Sequence, residues 1–344
     1  MPGRIISSPA SVVTPPRFTN MLNCALVMKK SLCLVTGGAG FIGSHLVDAL
    51  LQKGYRVRVF DNLSTGQKSN LNHCLSRIDW RKGDLRKENE VRRAMKGVDY
   101  VFHCAANRAV LRSVDDPLET DAVNIRGTLH VLLAARDSGV KRVIFSSSSS
   151  VYGDTRKFPC QETDSPNPQS PYAASKLMGE IYCRLFSSLY GLSTVSLRYF
   201  NVFGPRQNPE SKYSMVIPIF IQCILKGQRP EVHWDGRQSR DFTYIENVVH
   251  ANLLALKKPG LRGDVFNVAC HEEFSVLDIL RELEKVMGRK SPKPRFAPKR
   301  AGDVRRTFAD ISRTRNALGY RIQTFFREGL RKTVTWFLTS PNIR

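Results

Sequence analysis

Short apolar runs and amphipathic stretches begin to alternate at Ser31. SLCLVTG has the length of a buried strand, and IGSHLVDALLQKG is a helix closed by Gly54. YRVRVFD predicts a strand, ENEVRRAMKGV a helix and DYVFHCAA a strand. VNIRGTLHVLLAARDSGV predicts a helix, with Leu129, Leu132, Leu133 and Arg136 at helical spacing. KRVIFSSSS is a strand, YAASKLMGEIYCRLFSSLYG a long helix ended by Gly191, and STVSLRYFNVFG a strand running into a loop. Strand and helix in strict turn imply an α/β fold built on a doubly wound parallel sheet.

After Gly204 the alternation weakens. PRQNPESKY is a polar, proline-containing loop, while DFTYIENVVHANLLAL and DVFNVA again suggest helix and strand. The remainder carries a helix (SVLDILRELEKVMG), a basic loop and a final helix (REGLRKTVTWF). This pattern predicts a nucleotide-binding domain from residues 31–204 plus 239–270. A smaller, discontinuous C-terminal lobe from 205–238 plus 271–337 lies over the C-terminal edge of the sheet, where ligands of such folds bind. Residues 1–30 hold four basic residues, four prolines and no acid, and are expected to be a disordered extension. Residues 338–344 are expected to be a tail.

Composition narrows the function. The 42% apolar content supports a proper core. No apolar run approaches the ~18 residues of a membrane span; MVIPIFIQCIL is too short and holds Pro218 and Gln222. The eight cysteines form no CxxC pair and the seven histidines no HExxH, so reduced cysteines, a cytoplasmic location and no metal are expected. Lys plus Arg exceeds Asp plus Glu by 53 to 30, a formal charge of +23 that favours anionic partners. No zinc pattern, basic helix or aromatic RNA motif accompanies it, so a nucleic-acid partner is not expected.

VTGGAGFIG sets Gly37, Gly40 and Gly43 between the first strand and first helix. The first glycine permits a tight turn, the second lets backbone approach a pyrophosphate, and the third lets the helix pack on the strand. Asp61 ends the second strand, 18 residues beyond Gly43. A carboxylate there bonds ribose hydroxyls and repels a 2′-phosphate, which favours NAD over NADP. This is the Rossmann arrangement, with Gly83–Leu85 flanking the adenine.

SPYAASK puts Tyr172 and Lys176 four residues apart on one helical face. A phenol of pKa about 10 is a poor base at neutral pH, and a nearby ammonium favours its phenolate. Together TGGAGFIGSH, DNLSTG, SSSSVYGD, SPYAASK, LRYFNVFGPRQ, SRDFTYIENV and AGDVRRTFADIS resemble, in order, the extended short-chain dehydrogenases/reductases that act on nucleotide sugars. The likeness runs from about Lys30 to Phe337.

The resemblance implies roles for particular residues. Tyr172 is the catalytic base, Lys176 its partner and a nicotinamide-ribose ligand, and Ser148 the hydroxyl bonded to the reacting sugar oxygen. Gly37, Gly40, Phe41, Ile42, Gly43, Asp61, Asn62, Asp84 and Leu85 hold NAD. Asn201 is a sugar or phosphate ligand, and Val216 belongs to the segment facing uracil. Arg240, Arg300 and Asp303 grip the pyrophosphate and ribose of a UDP-sugar; two arginines suit a diphosphate through charge-assisted bonds. Cys104 and Arg108 stand at variable places, and Ala269 where glycine is frequent.

Relatives of this kind begin alike: the tyrosine takes the 4-hydroxyl proton, the C4 hydride passes to NAD, and a 4-keto sugar forms. A dehydratase then carries the pattern Thr-Asp-Glu at the places of Ser148, Ser149 and Ser150, and a decarboxylase carries a glutamate at that of Ser150; here none of the three is an acid. A 4-epimerase needs none, because the keto sugar turns over and takes the hydride back from transient NADH. The expected activity is therefore that of a UDP-hexose 4-epimerase. Thr307 matches the position gating the sugar pocket, and a small residue there leaves room for the N-acetyl group of UDP-GlcNAc and UDP-GalNAc. UDP-glucuronate 4-epimerase, a 4,6-dehydratase and a non-catalytic NAD-binding scaffold are the alternatives. The helices near 121–138 and 172–190 resemble a homodimer interface.

Overall fold

Leu32–Thr36 is buried along its whole length, which marks a strand covered on both faces. It is β1 of a seven-stranded sheet in the computed structural model, which describes residue 3 and residues 30–208, 215–300 and 302–340. The other strands are β2 (Arg56–Asp61), β3 (Ile78–Lys82), β4 (Tyr100–His103), β5 (Arg142–Ser148), β6 (Thr194–Tyr199) and β7 (Asp264–Val268). They run in the order β7-β6-β5-β4-β1-β2-β3, and every pairing is parallel. Strand order reverses between β1 and β4, so a crevice opens beyond their carboxyl ends. The expected extension over 1–30 lies outside the described residues, apart from Gly3 and Lys30, and so does most of the expected tail.

Helices cover both faces: α1 (Phe41–Gln52), α2 (Glu88–Met95), α3 (Gly127–Asp137) and α4 (Pro171–Tyr190). One apolar cluster joins α1 to the elements after Gly204, and a second lies under α2, α3 and α4. Local sequence sets the ends of α4. Ser170 accepts from the Ala173 N–H at 3.1 Å, Pro171 opens the first turn, and Gly191 closes it at φ 67°.

Several elements differ from expectation. The helix expected from Val123 is preceded by a π-helical turn, Asp121–Arg126. That wide turn carries buried Asn124, which bonds Asn107 in the loop after β4 and Ser175 on α4. The helix expected from Asp241 starts only at Ile245. Ser239–Asp241 pairs instead with Glu273–Ser275 and Arg306–Thr307, because the buried Asp241 carboxylate accepts N–H groups from Cys270, His271 and Ala309. The run beginning at Met215 is a helix, Val216–Lys226, with Ile217, Phe220, Ile221 and Ile224 buried. The last helix, Phe326–Thr339, continues through Leu338 and Thr339, which were expected to be tail. No described helix is long and apolar enough to cross a membrane.

Candidate active site

Gly37 turns the chain at φ 68°, and a Cβ there would come within 2.7 Å of the Ala105 nitrogen. A Cβ on Gly43 would lie 2.2 Å from the Gly37 carbonyl oxygen. Only glycines fit this turn, and Gly40 ends it as the N-cap of α1 with no side-chain cap, leaving the first N–H groups of the helix free for an anion. Asp61, at the end of β2, accepts from the N–H groups of Ala39 at 2.9 Å and Leu63 at 2.8 Å. Burial nevertheless raises its pKa. Asn62 donates to Asp84, which Arg86 also grips, and that guanidinium holds the Asp84 carboxyl well below the usual range. Leu85 is buried beside Gly127. A side-chain-free cradle at a helix start, followed by a carboxylate at the end of β2, fits NAD.

The serine run leaves β5 at this same edge. Ser146 gives its carbonyl to Lys176 Nζ at 2.8 Å. Ser147 donates to Glu180, and Ser148 accepts from the Ser150 hydroxyl at 2.9 Å. Lys176 is 4% exposed, and burial lowers its pKa to about 8. Its ammonium lies 5.9 Å from the Tyr172 ring centre. The sequence suggested that Lys176 favours the Tyr172 phenolate. In the structure burial pushes Tyr172 up, and the Ser148 hydrogen bond and the Arg108 charge draw it back down. Arg108 therefore adds a second positive charge beside the phenol, and Lys176 is held in place by the Ser146 carbonyl.

The other end of the cleft is built from the segments after Gly204. Thr307 Oγ1 donates to Asn201 Oδ1 at 3.3 Å, and Asn201 is held at φ 28°. Arg240 donates to the Ser239 carbonyl at 2.8 Å, and burial lowers its pKa despite Asp303 and Glu273 nearby. Arg300 and Asp303 line the same cleft as the serine run. All the expected site residues border this one cleft except Val216: its neighbour Met215 lines the cleft, and Val216 starts the helix and packs on the core. The shift follows from Met215 being the extended N-cap, where the chain still faces the crevice.

Gln207 was not foreseen. It is 2% exposed, lines the cleft, and donates Nε2 to the Val202 carbonyl, leaving Oε1 without a partner. Its position directly after the PR of LRYFNVFGPRQ was the only signal. Cleft carboxylates among the described residues are Asp61, Asp84, Glu119 and Asp303. Arg86 bridges Asp84 and Glu119, Asn62 also donates to Asp84, Asp61 accepts the Ala39 N–H, and Asp303 lies by Arg240. None belongs to the serine run. Outside the cleft, Asp48, His73 and Cys74 approach one another in a metal-like group, but Arg206 already occupies Asp48 at 2.7 Å.

Comparison with known proteins agrees with this geometry. The family model for the NAD dependent epimerase/dehydratase family matches residues 33–269. The UDP-glucose 4-epimerase of Mycolicibacterium smegmatis is 39% identical over 311 residues, 88% of this chain and 97% of its own. The structure of a UDP-N-acetylglucosamine 4-epimerase from Methanobrevibacter ruminantium, in complex with UDP-N-acetylmuramic acid, is 40% identical with a TM-score of 0.85, covering 91% of this chain and 99% of that one. The Thermus thermophilus UDP-glucose 4-epimerase in complex with NAD is 37% identical with a TM-score of 0.82, covering 90% and 99%.

Proposed function

The chain belongs to the NAD-dependent epimerase/dehydratase family and is an NAD-dependent nucleotide-sugar epimerase, and from that premise we propose that it interconverts the C4 epimers of UDP-hexoses, including UDP-GlcNAc and UDP-GalNAc. The observation that carries this reading is the serine run: Ser148 meets Tyr172 at the reacting edge, and no carboxylate of the run stands beside them to drive dehydration or decarboxylation.

NAD held on the glycine turn supplies the acceptor for the C4 hydrogen. Tyr172 takes the proton of the 4-hydroxyl, aided by the hydrogen bond from Ser148 and the charge of Arg108. Lys176, fixed to Ser146, holds the nicotinamide ribose. Arg240 and Arg300 bind the UDP diphosphate, and Asp303 its ribose. Asn201 and Thr307 border the sugar, which must turn over between the two hydrogen transfers. The NAD-binding part comprises 31–204 plus 239–270, and the sugar-binding lobe 205–238 plus 271–337. The exposed side chains Leu118, Leu185, Leu189 and Tyr190 near and on α4 support a homodimer, and the seven described cysteines, each without a disulfide, a cytoplasmic location.

A second reading, UDP-glucuronate 4-epimerase, is favoured by Arg108, which lines the cleft and has no carboxylate partner among the described residues. Incubation with a panel of UDP- and dTDP-sugars followed by product NMR tests both. The proposal expects 4-epimers of UDP-Glc and UDP-GlcNAc. A 4-keto-6-deoxy product, or turnover of UDP-glucuronate alone, rejects it.

A further inference from the structure

The cleft accounts for five basic side chains, Arg108, Arg112, Lys176, Arg240 and Arg300, of the 53 in the chain. One dense basic run lies outside it. Residues 289–299 read RKSPKPRFAPK, five bases and no acid. Within them Arg295–Ala297 pairs in parallel with Glu231–His233 as a separate two-stranded ribbon at the surface. Arg229 fastens it by donating Nε to the Lys293 carbonyl at 3.0 Å. Lys290 and Arg295 have carboxylate partners, Glu284 and Glu231. Among the described residues Arg289 and Lys293 have none, and both are exposed. Between these bases Phe296 is 55% exposed, an aromatic ring with no place in the core.

We infer that this ribbon is a docking surface for an anionic lipid bilayer, Arg289 and Lys293 resting on headgroup phosphates and Phe296 entering the interfacial layer. Basic side chains near a negative membrane attract it additively, and an aromatic ring at headgroup level adds apolar burial. Such binding is peripheral, since no described helix can span. Two other occupants fit less well. Pro294 and Pro298 flank the strand and Pro292 precedes it, removing N–H donors that an added strand would use. Single-stranded RNA stacks on a succession of rings. Here the neighbouring ring, Trp234, is already taken by Lys299 at 4.4 Å and Arg305 at 4.9 Å.

The test is co-sedimentation of the full chain, loaded with NAD, with vesicles of phosphatidylcholine alone or mixed with phosphatidylserine. Binding is expected to the anionic vesicles only and to disappear at high salt. Arg289→Glu with Lys293→Glu should lower the partition coefficient at least about tenfold, and Phe296→Ser severalfold, with turnover of UDP-sugar in free solution unchanged. Equal binding to neutral vesicles, no binding to either, or binding indifferent to these substitutions overturns the inference. Single-stranded RNA that displaces the vesicles, with its own binding abolished by the same substitutions, overturns it in favour of a nucleic acid.

Discussion

Arg198 grips Glu180 through two guanidinium nitrogens, Nε at 2.9 Å and Nη2 at 2.7 Å, and both side chains are almost wholly buried. Glu180 also accepts from Ser147, and Arg198 lies 4.7 Å over the ring of Tyr152, which donates to Asn267. One ion pair therefore joins α4, β5, β6 and β7 directly beneath the serine run. Glu180→Ala would leave a buried guanidinium unpaired, a loss of about 3–5 kcal/mol. Replacing both partners, as Glu180→Met with Arg198→Met, should cost much less. Urea denaturation of the two variants measures this, and equal losses would mean that the pair itself is not what matters.

The glycine turn makes a sharper demand. The Cβ of Gly43→Ala would meet the Gly37 carbonyl oxygen, a backbone atom that can move only by opening the cradle. NAD affinity should fall by more than about tenfold, corresponding to roughly 1.4 kcal/mol or more, while the sheet still forms. Thermal shift with and without added NAD separates the two effects, and a variant still stabilised by NAD to the normal extent would contradict the cradle.

Arg108 is expected to set the working pH. Its positive charge draws the Tyr172 pKa down against the effect of burial. In Arg108→Met that pull is gone, so a higher pH is needed to free the phenolate. The acid limb of the pH profile of kcat should move to higher pH. A limb that stays in place while KM rises would make Arg108 a binding residue only.

Lys176 gives a pH effect on stability. Its pKa is about 8 in the fold against an ordinary 10.5. Between those values the unfolded chain binds a proton that the native chain does not, so this group's contribution to stability rises with pH across that window. Below about pH 8 the buried ammonium costs roughly 3 kcal/mol. Relative to the parent protein, Lys176→Met should therefore fare best at neutral pH and lose ground steadily up to pH 10.5. Unfolding curves at a series of pH values check the slope, and a difference independent of pH would refute the assignment.

The sheet was legible because burial on both faces leaves continuous apolar runs, and the glycine turn because only glycine fits beside Ala105 and Gly37. The elements after Gly204 were less so. Ser239–Asp241 looks like the start of a helix, and its strand exists because Asp241 collects N–H groups from residues some 30 and 68 positions away. The π-helical turn was hidden likewise, since Asn124 is held by Asn107 and Ser175 across the fold. Val216 was named for the cleft where Met215 stands, because a one-residue shift at a helix start turns the side chain to another face. The partnerless Oε1 of Gln207 could not be seen from sequence at all.

The choice of sugar is expected to rest on Thr307. Its hydroxyl donates to Asn201 Oδ1 at 3.3 Å, and the two small side chains line the cleft together. Arg306–Thr307 pairs with Ser239–Asp241, so its backbone cannot retreat without disturbing Arg240. A tyrosine at that position must extend into the space an N-acetyl group would use. Thr307→Tyr should keep UDP-glucose turnover within a few-fold and lower kcat/KM for UDP-GlcNAc by about 10–200-fold, the range expected when a pocket loses room for a small group. Paired steady-state measurements on the two substrates decide it. Equal losses on both would indicate general damage to the cleft, and no loss on UDP-GlcNAc would remove Thr307 as the gate.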